Sequence, residues 1–194
     1  NDEERTILRY IFNIKYFLKM KRLLLNNPPE FIWVHNYYHI LSPSILLAIK
    51  LYATKSKVIY IAHDYHLVCP NPSLMGYKHK KPFNLDEKKH WSINFLKSSD
   101  FRGWKYSVLR KLQWLIAYKI LNLHDVFDKV VSPSSYLKDT LQLHYPKLDI
   151  EIIRNPIDFE IERVRQTITV GGKRDAELLF VGRLSYEKGL QQFI

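Results

Sequence analysis

The residues best suited to chemistry follow an apolar run in the first half of the chain, Val58–Ala62. That run is rich in β-branched and aromatic side chains, which is typical of a strand buried on both faces. His63 and Asp64 come directly after it. Because ligands of an open parallel sheet bind beyond the carboxyl ends of its strands, His63 is a candidate to contact a ligand. The alternative is a strand-end histidine whose ring is satisfied by a neighbouring carbonyl.

A second segment of this design lies at Leu178–Gly189, where an apolar strand leads into Gly-Arg-Leu-Ser-Tyr-Glu-Lys-Gly. Gly182 permits a tight turn, and a helix that begins here presents free N–H groups. Arg183 can hold phosphate oxygens through two N–H groups, and Lys188 adds a point charge. The pattern suits a pyrophosphate, and its alternative is an exposed cationic helix start.

Composition limits the classes of protein that the chain can belong to. With 194 residues, of which 46% are hydrophobic, it can build one sizeable core or one domain and part of another. It has no apolar run of about 18 residues, so no spanning helix is expected. A single cysteine cannot form an internal disulfide and fits a reducing compartment. No Asp-x-Asp motif is present, and no histidine shows a paired ligand spacing with a carboxylate or a cysteine, so no metal is expected.

The charge is strongly positive and unevenly spread. The 30 lysines and arginines outnumber the 19 acidic residues and give a net charge of +11, which favours an anionic partner. Within Met75–Leu112, ten basic residues oppose three acidic ones and alternate with aromatic residues. Such a segment suits a membrane interface or a groove for single-stranded nucleic acid. It is equally well explained as a solvated basic loop.

Helical and strand patterns alternate along the chain. We predict helices at Thr6–Leu25, from Ser42-Pro43 to about Lys55, at Trp104–Leu123, and from the Ser132–Ser135 cap to about His144. We predict strands at Phe31–Val34, Val58–Ala62, Asp128–Val131, Ile150–Ile153 and Leu178–Val181. This alternation predicts an α/β fold with a Rossmann-like, doubly wound parallel sheet.

The ordered set of motifs resembles one enzyme family. The stretches that carry the resemblance are Phe31–Ser44, Val58–Asn71, Val131–Ser134, Ile153–Asp158 and Gly182–Gly189. Together they are similar to retaining glycosyltransferases with the two-Rossmann (GT-B) architecture, most of all the family-4 class of bacterial polysaccharide enzymes. The resemblance runs through most of the sequence, and its least specific part is the basic segment.

The resemblance implies that an N-terminal domain holds the acceptor and that a C-terminal domain holds a nucleotide-diphosphate sugar. Arg183 and Lys188 would then neutralise the departing diphosphate, with Gly182 beside them in donor binding. His63 matches the family's cleft histidine, which contacts the transferring sugar and helps to orient the acceptor. The leaving phosphate itself can accept the proton, and neither a metal nor another cofactor is required.

Other polar residues near strand ends are further candidates to contact the acceptor. Asn36 and Tyr37 follow the Phe31–Val34 strand and are predicted to bind the acceptor, with a solvated loop as the alternative. Asp64 can contact the acceptor or cap a turn. The remaining histidines are interpreted as structural or surface residues: His35, His39, His66, His79, His90, His124 and His144.

The resemblance also predicts domain boundaries. Residues 1–158 would form the acceptor domain without its first strand, 159–176 a linker, and 177–194 the first strand, turn and helix of the donor domain. The family's glycine-rich first turn and its glutamate pair have no counterpart in this sequence. We therefore expect the 194-residue chain by itself not to turn over.

The partners expected from the resemblance are a nucleotide sugar, a glycan or lipid-linked acceptor, and the anionic inner face of the plasma membrane, with the protein cytoplasmic and peripheral. No nucleic acid is expected, because no recognition-helix, RNP-like or zinc-finger pattern is visible. The alternatives are a basic nucleic-acid-binding or membrane-binding module without catalysis, or a fold relative such as an epimerase or a sugar synthase.

Overall fold

A computed structural model describes residues 9–72, 74–76, 81–82, 100, 102–156, 180–182, 184 and 188–189. The helices are α1 (Ile14–Asn26), α2 (Ser44–Tyr52), α3 (Trp104–Leu115) and α4 (Ser135–His144). The strands are β1 (Phe31–Val34), β2 (Lys57–Ile61), β3 (Met75–Gly76), β4 (Lys81–Pro82), β5 (Lys129–Ser132) and β6 (Ile150–Ile152). Most of the basic segment lies outside the described residues.

Four strands form one open sheet in the order β1-β2-β5-β6, and each neighbouring pair is parallel. The predicted α/β fold with a parallel sheet is thereby confirmed, and it is compatible with a Rossmann-like fold. Strands β3 and β4 pair separately as an antiparallel hairpin. The four parallel strands follow one another across the sheet in chain order. The described strands show no reversal of direction across the sheet, so the doubly wound arrangement stays a prediction.

The hydrophobic core lies against one face of this sheet. Successive right-handed crossovers that progress in one direction place their helices on the same face. The core accordingly joins alternate residues of the strands to all four helices, and its members include Leu24, Val34, Leu46, Val58, Tyr60, Trp114, Val130, Leu141 and Ile150. On the opposite face Phe31 and Trp33 of β1 are exposed, while Ile59 and Ile61 of β2 are half-buried. Strand β2 is therefore fully buried on one face, not on both as predicted.

The first helical pattern is interrupted where the sequence alone predicts one continuous helix. Residues 9–11 are helical, and α1 begins anew at Ile14, with the Asn13 side chain accepting a hydrogen bond from the Tyr16 N–H at 3.4 Å. The backbone of Asn13 is held by two serines: its N–H donates to Ser42 Oγ at 2.9 Å, and its carbonyl accepts from Ser44 Oγ at 3.0 Å. These contacts with a distant loop outweigh the local helical pattern.

The other predicted elements lie close to their expected positions. Ser134 caps α4 by accepting from the Leu137 N–H at 3.2 Å, which confirms its predicted role. Helix α3 continues into a π-helical turn at Ile116–Ile120 and ends before Asn122, which has a left-handed conformation. Lys50 of α2 donates to the carbonyls of Leu121 and Asn122 at 3.0 and 3.1 Å, so this end of the helix is tied to α2.

The chain divides into two compact units, Asn1–Ile153 and Arg154–Ile194. The parallel sheet and its helices lie in the first unit. In the second unit, the described residues are 154–156 and the short stretches around Gly182 and Lys188. In the described part of the chain, no helix is both long and apolar enough to span a bilayer.

Two leucines of α2 provide a matched test of this core. Leu46 is fully buried and Leu51 is 53% exposed. We expect Leu46→Ala to lower the free energy of unfolding by about 3 kcal/mol, because it removes buried methyl groups and leaves a cavity. Leu51→Ala should cost less than about 0.5 kcal/mol. Urea denaturation measures both values, and equal losses would contradict the assigned burial.

Candidate functional site

Two histidines meet at the carboxyl edge of the parallel sheet. His35 follows β1 directly and His63 lies two residues beyond β2, and these strands are paired neighbours. His35 Nδ1 lies 2.9 Å from His63 Nε2, a hydrogen bond between two exposed rings. Such a bond needs one N–H donor and one unprotonated acceptor, so at least one of the two rings is neutral. The pair forms the candidate site, since this edge is where open parallel sheets bind ligands.

His35 was not among the predicted site residues, whereas His63 was. A signal in the sequence could have identified His35, because His35 and His63 each come directly after a predicted strand. Successive strands of an α/β sheet are commonly neighbours, and the carboxyl ends of parallel neighbours share an edge. The contact between the two rings depends on the pairing of β1 with β2, which residue patterns do not give.

Asp64 ties together the two loops that carry the histidines. Its Oδ1 accepts a hydrogen bond from the His66 N–H at 2.9 Å, which caps the turn after β2. Its Oδ2 accepts from the Tyr38 hydroxyl, in the loop after β1. The turn-capping alternative is therefore present in the structure. With both oxygens engaged, Asp64 mainly holds the two loops together, and its acceptor contact stays a prediction.

Two of the residues predicted to bind the acceptor, Asn36 and Tyr37, are neighbours in the loop after β1 but differ in their exposure to solvent. Asn36 is exposed next to His35, in a position open to a ligand. Tyr37 is 0% exposed, and its hydroxyl is hydrogen-bonded to that of Tyr118 within the core. The expectation that Tyr37 lines an acceptor site is corrected by this placement: an aromatic ring next to a strand end packs inward when the core offers its hydroxyl a partner.

His66 lies beneath the edge in an aromatic cluster. Its ring stacks on Tyr38 with centroids 3.5 Å apart and meets the edges of Tyr37 and Tyr118, and it is only 2% exposed. Its carbonyl accepts from Trp114 Nε1 at 2.9 Å. Within the described part of the chain, neither ring nitrogen has a hydrogen-bond partner. Burial lowers the pKa of His66 well below 6.5, and the nearby His39 and Arg110 lower it further.

A charged cluster lies near the same loops. Asp100 has a fully buried side chain and is paired with Arg102 Nη2 at 2.9 Å and Arg110 Nε at 3.1 Å. Burial lowers the pKa of the neighbouring His39, and the positive charge of Arg110 acts in the same direction.

Cys69 is buried as well, and its thiol donates to the Asn71 carbonyl at 2.7 Å. Because burial raises the pKa of this thiol, Cys69 is a structural residue here.

The predicted donor-binding residues belong to the second unit. Gly182 and Lys188 are both exposed there. Arg183 lies outside the described residues, so its predicted role stays a prediction. Among the residues that the structure describes, no group of three or more histidines, cysteines or acids is placed to hold a metal ion.

Comparison with protein-family models, curated proteins and solved structures finds nothing that matches this chain. What the structure itself provides is an exposed histidine pair on a parallel-sheet edge, supported by a buried aromatic cluster.

The buried His66 predicts a loss of stability in acid. Its pKa is lowered in the folded state, so below about pH 6.5 the unfolded chain binds a proton that the folded chain excludes. The free energy of unfolding should therefore be greatest above pH 6.5. Below it, this group should remove up to about 1.4 kcal/mol per pH unit until its folded-state pKa is reached.

The comparison variant is His66→Phe, which keeps an aromatic ring against Tyr38 and removes the titrating group. Urea denaturation from pH 7.5 to 4.5 should show a shallower decline in the variant than in the wild type. The lowered pKa of His39 acts in both proteins, so the difference between the two curves isolates His66. Parallel curves would rule out this role for His66.

Proposed function

We propose that the chain contributes the acceptor-binding domain and the beginning of the donor-binding domain of a retaining glycosyltransferase with the GT-B architecture. The reaction is transfer of a sugar from a nucleotide-diphosphate donor to a cell-surface glycan or lipid-linked acceptor. The observation that carries the proposal is the exposed position of His63 at the carboxyl edge of a parallel sheet, paired with His35. The motif resemblance assigns a ligand-contacting histidine to this position.

The proposed step makes and breaks bonds at the anomeric carbon of the sugar. Its bond to the diphosphate oxygen breaks as a hydroxyl oxygen of the acceptor bonds to the same face, and the leaving phosphate accepts the hydroxyl proton. Negative charge develops on the diphosphate, and Arg183 and Lys188 stabilise it there. His63 orients the acceptor hydroxyl and contacts the transferring sugar.

The histidine pair limits which atom of His63 can meet a ligand. Its Nε2 faces His35, while its Nδ1 has no hydrogen-bond partner within the described residues. Nδ1 is therefore the atom proposed to contact the sugar or the acceptor. His35 is a positioning residue, because it holds the ring of His63 and selects its tautomer.

The net charge of +11 supports the proposed partners. Nucleotide sugars and lipid-linked diphosphate acceptors are both anionic, and so is the inner face of the plasma membrane, where such acceptors would be met. We propose a cytoplasmic, peripheral location for the protein on this ground. No metal or further cofactor is included in the proposal.

A binding experiment tests the donor side. We expect the chain to bind UDP, GDP or ADP, and we expect Lys188→Gln to weaken that binding about tenfold, since a charge-assisted hydrogen bond to phosphate is lost. Lys147→Gln, an exposed lysine of the first unit, is the matched control and should leave the affinity unchanged. Calorimetric titration measures each dissociation constant.

The same titration distinguishes the proposed role of His63 from that of Lys188. His63→Ala should keep the wild-type affinity for the nucleoside diphosphate, because His63 acts on the sugar and the acceptor. The proposal fails if none of the three diphosphates binds to the wild-type chain. It fails equally if Lys188→Gln binds as tightly as the wild type.

A further inference from the structure

Helix α1 exposes an apolar stripe to solvent. Ile14, Leu18 and Leu25 are 62%, 53% and 59% exposed. At 3.6 residues per turn their side chains project within about 40° of one another, so they line one side of the helix. Single exposed leucines are common on protein surfaces, whereas three large apolar side chains on one side of a helix mark a candidate contact surface.

Cations border this stripe, and α1 contains no acidic residue. On the helical wheel Arg22 and Lys15 follow the stripe on one side, at about 80° and 100° from Ile14, and Lys19 lies beyond them. Lys21 lies about 20° from Ile14 on the other side, but it is half-buried and its ammonium is 4.9 Å from the ring centroid of Tyr52 in α2. The exposed surface of α1 therefore has apolar side chains on one side and exposed cations directly beside them.

Another side of α1, at about 200–280° from Ile14 on the helical wheel, fixes the helix to the core. Leu23, directly opposite Ile14, is 51% exposed. Leu24 is buried, and Tyr16 and Met20 pack against the core cluster. At the start of the helix, the hydrogen bonds of Asn13 to Ser42 and Ser44 hold its first turn. The stripe is thus presented by an anchored helix, so contact with a partner requires no unfolding.

The chemistry of this surface selects its partner. The apolar side chains need an apolar environment, and the cations beside them need negative charge. An anionic bilayer supplies both, because its acyl boundary accepts leucine and isoleucine side chains while its headgroups pair with lysine and arginine. A nucleic acid would satisfy the cations and leave the apolar stripe in water.

We propose that α1 docks the protein onto an anionic lipid surface, with Ile14, Leu18 and Leu25 in the interfacial layer and Lys15, Lys19 and Arg22 among the headgroups. This surface is distinct from the basic segment Met75–Leu112. The proposal does not depend on sugar transfer, since it would hold for any protein with this helix.

Flotation with lipid vesicles tests the electrostatic part. The wild-type chain should bind vesicles of phosphatidylcholine with 30% phosphatidylglycerol and release them in 1 M NaCl. The triple variant Lys15→Gln/Lys19→Gln/Arg22→Gln should bind about 100-fold more weakly, because each cation near the surface contributes roughly a fivefold factor. Its control, Lys55→Gln/Lys138→Gln/Lys147→Gln, removes the same charge from other positions and should bind nearly as well as the wild type. Equal losses in both triple variants would overturn the proposal, since net charge alone would then explain binding.

A second pair of variants tests the apolar part. Leu18→Ser should weaken vesicle binding several-fold without lowering thermal stability, whereas Leu143→Ser, an exposed leucine of α4, should leave binding unchanged. Wild-type affinity in Leu18→Ser would overturn the proposal. The proposal would also be overturned if the wild-type chain bound single-stranded DNA but not vesicles, and if the triple variant of the α1 cations lost that DNA binding. A dimer that Leu18→Ser converts to monomer would assign the stripe to a second copy of the chain instead.

Discussion

The parallel pairing of β1 with β2 is the constraint on which the rest of the candidate site depends. The register sets Val34 opposite Tyr60, and both residues are buried on the same face of the sheet. A shift by one residue would expose this buried set and bury its exposed neighbours, so the core fixes the register strongly. The same register brings the positions just beyond both strands to one edge, and His35 and His63 meet there.

Beneath that edge, an aromatic cluster makes the loops rigid. Tyr38 from the first loop stacks on His66 from the second and also donates its hydroxyl to Asp64. Trp114 of α3 adds a hydrogen bond to the His66 carbonyl, so a helix distant in sequence fastens the same turn. These hydrogen bonds satisfy buried groups of the two loops and favour one arrangement, whereas the two ring nitrogens of His66 have no partner within the described residues and reduce stability. The exposed histidine pair is thus supported by loops that side-chain contacts fasten to each other and to α3.

The sequence predicts the strands closely because their apolar residues are continuous and their boundaries are polar. Strands β1 and β6 begin at the expected residues, and β2 and β5 lie within one residue of the predicted ends. Position relative to a strand also predicted that His63 lies at the carboxyl edge of the sheet, where the structure places it, and its role there stays a prediction. Predictions that depend on contacts between distant segments were less successful. The helix break at Asn13 requires two serines of a later loop, and the burial of Tyr37 requires the hydroxyl of Tyr118.

The strand register joins the His35 and His63 rings through His35 Nδ1 and His63 Nε2. This contact can be tested in the imidazole nitrogen NMR spectrum of His63, recorded in the wild type and in His35→Ala. We expect the Nε2 signal of His63 to move when its partner is removed, and Nδ1 to shift only as the tautomer relaxes. Identical His63 spectra in the two proteins would show that the rings do not interact, and would contradict the site assigned to this edge.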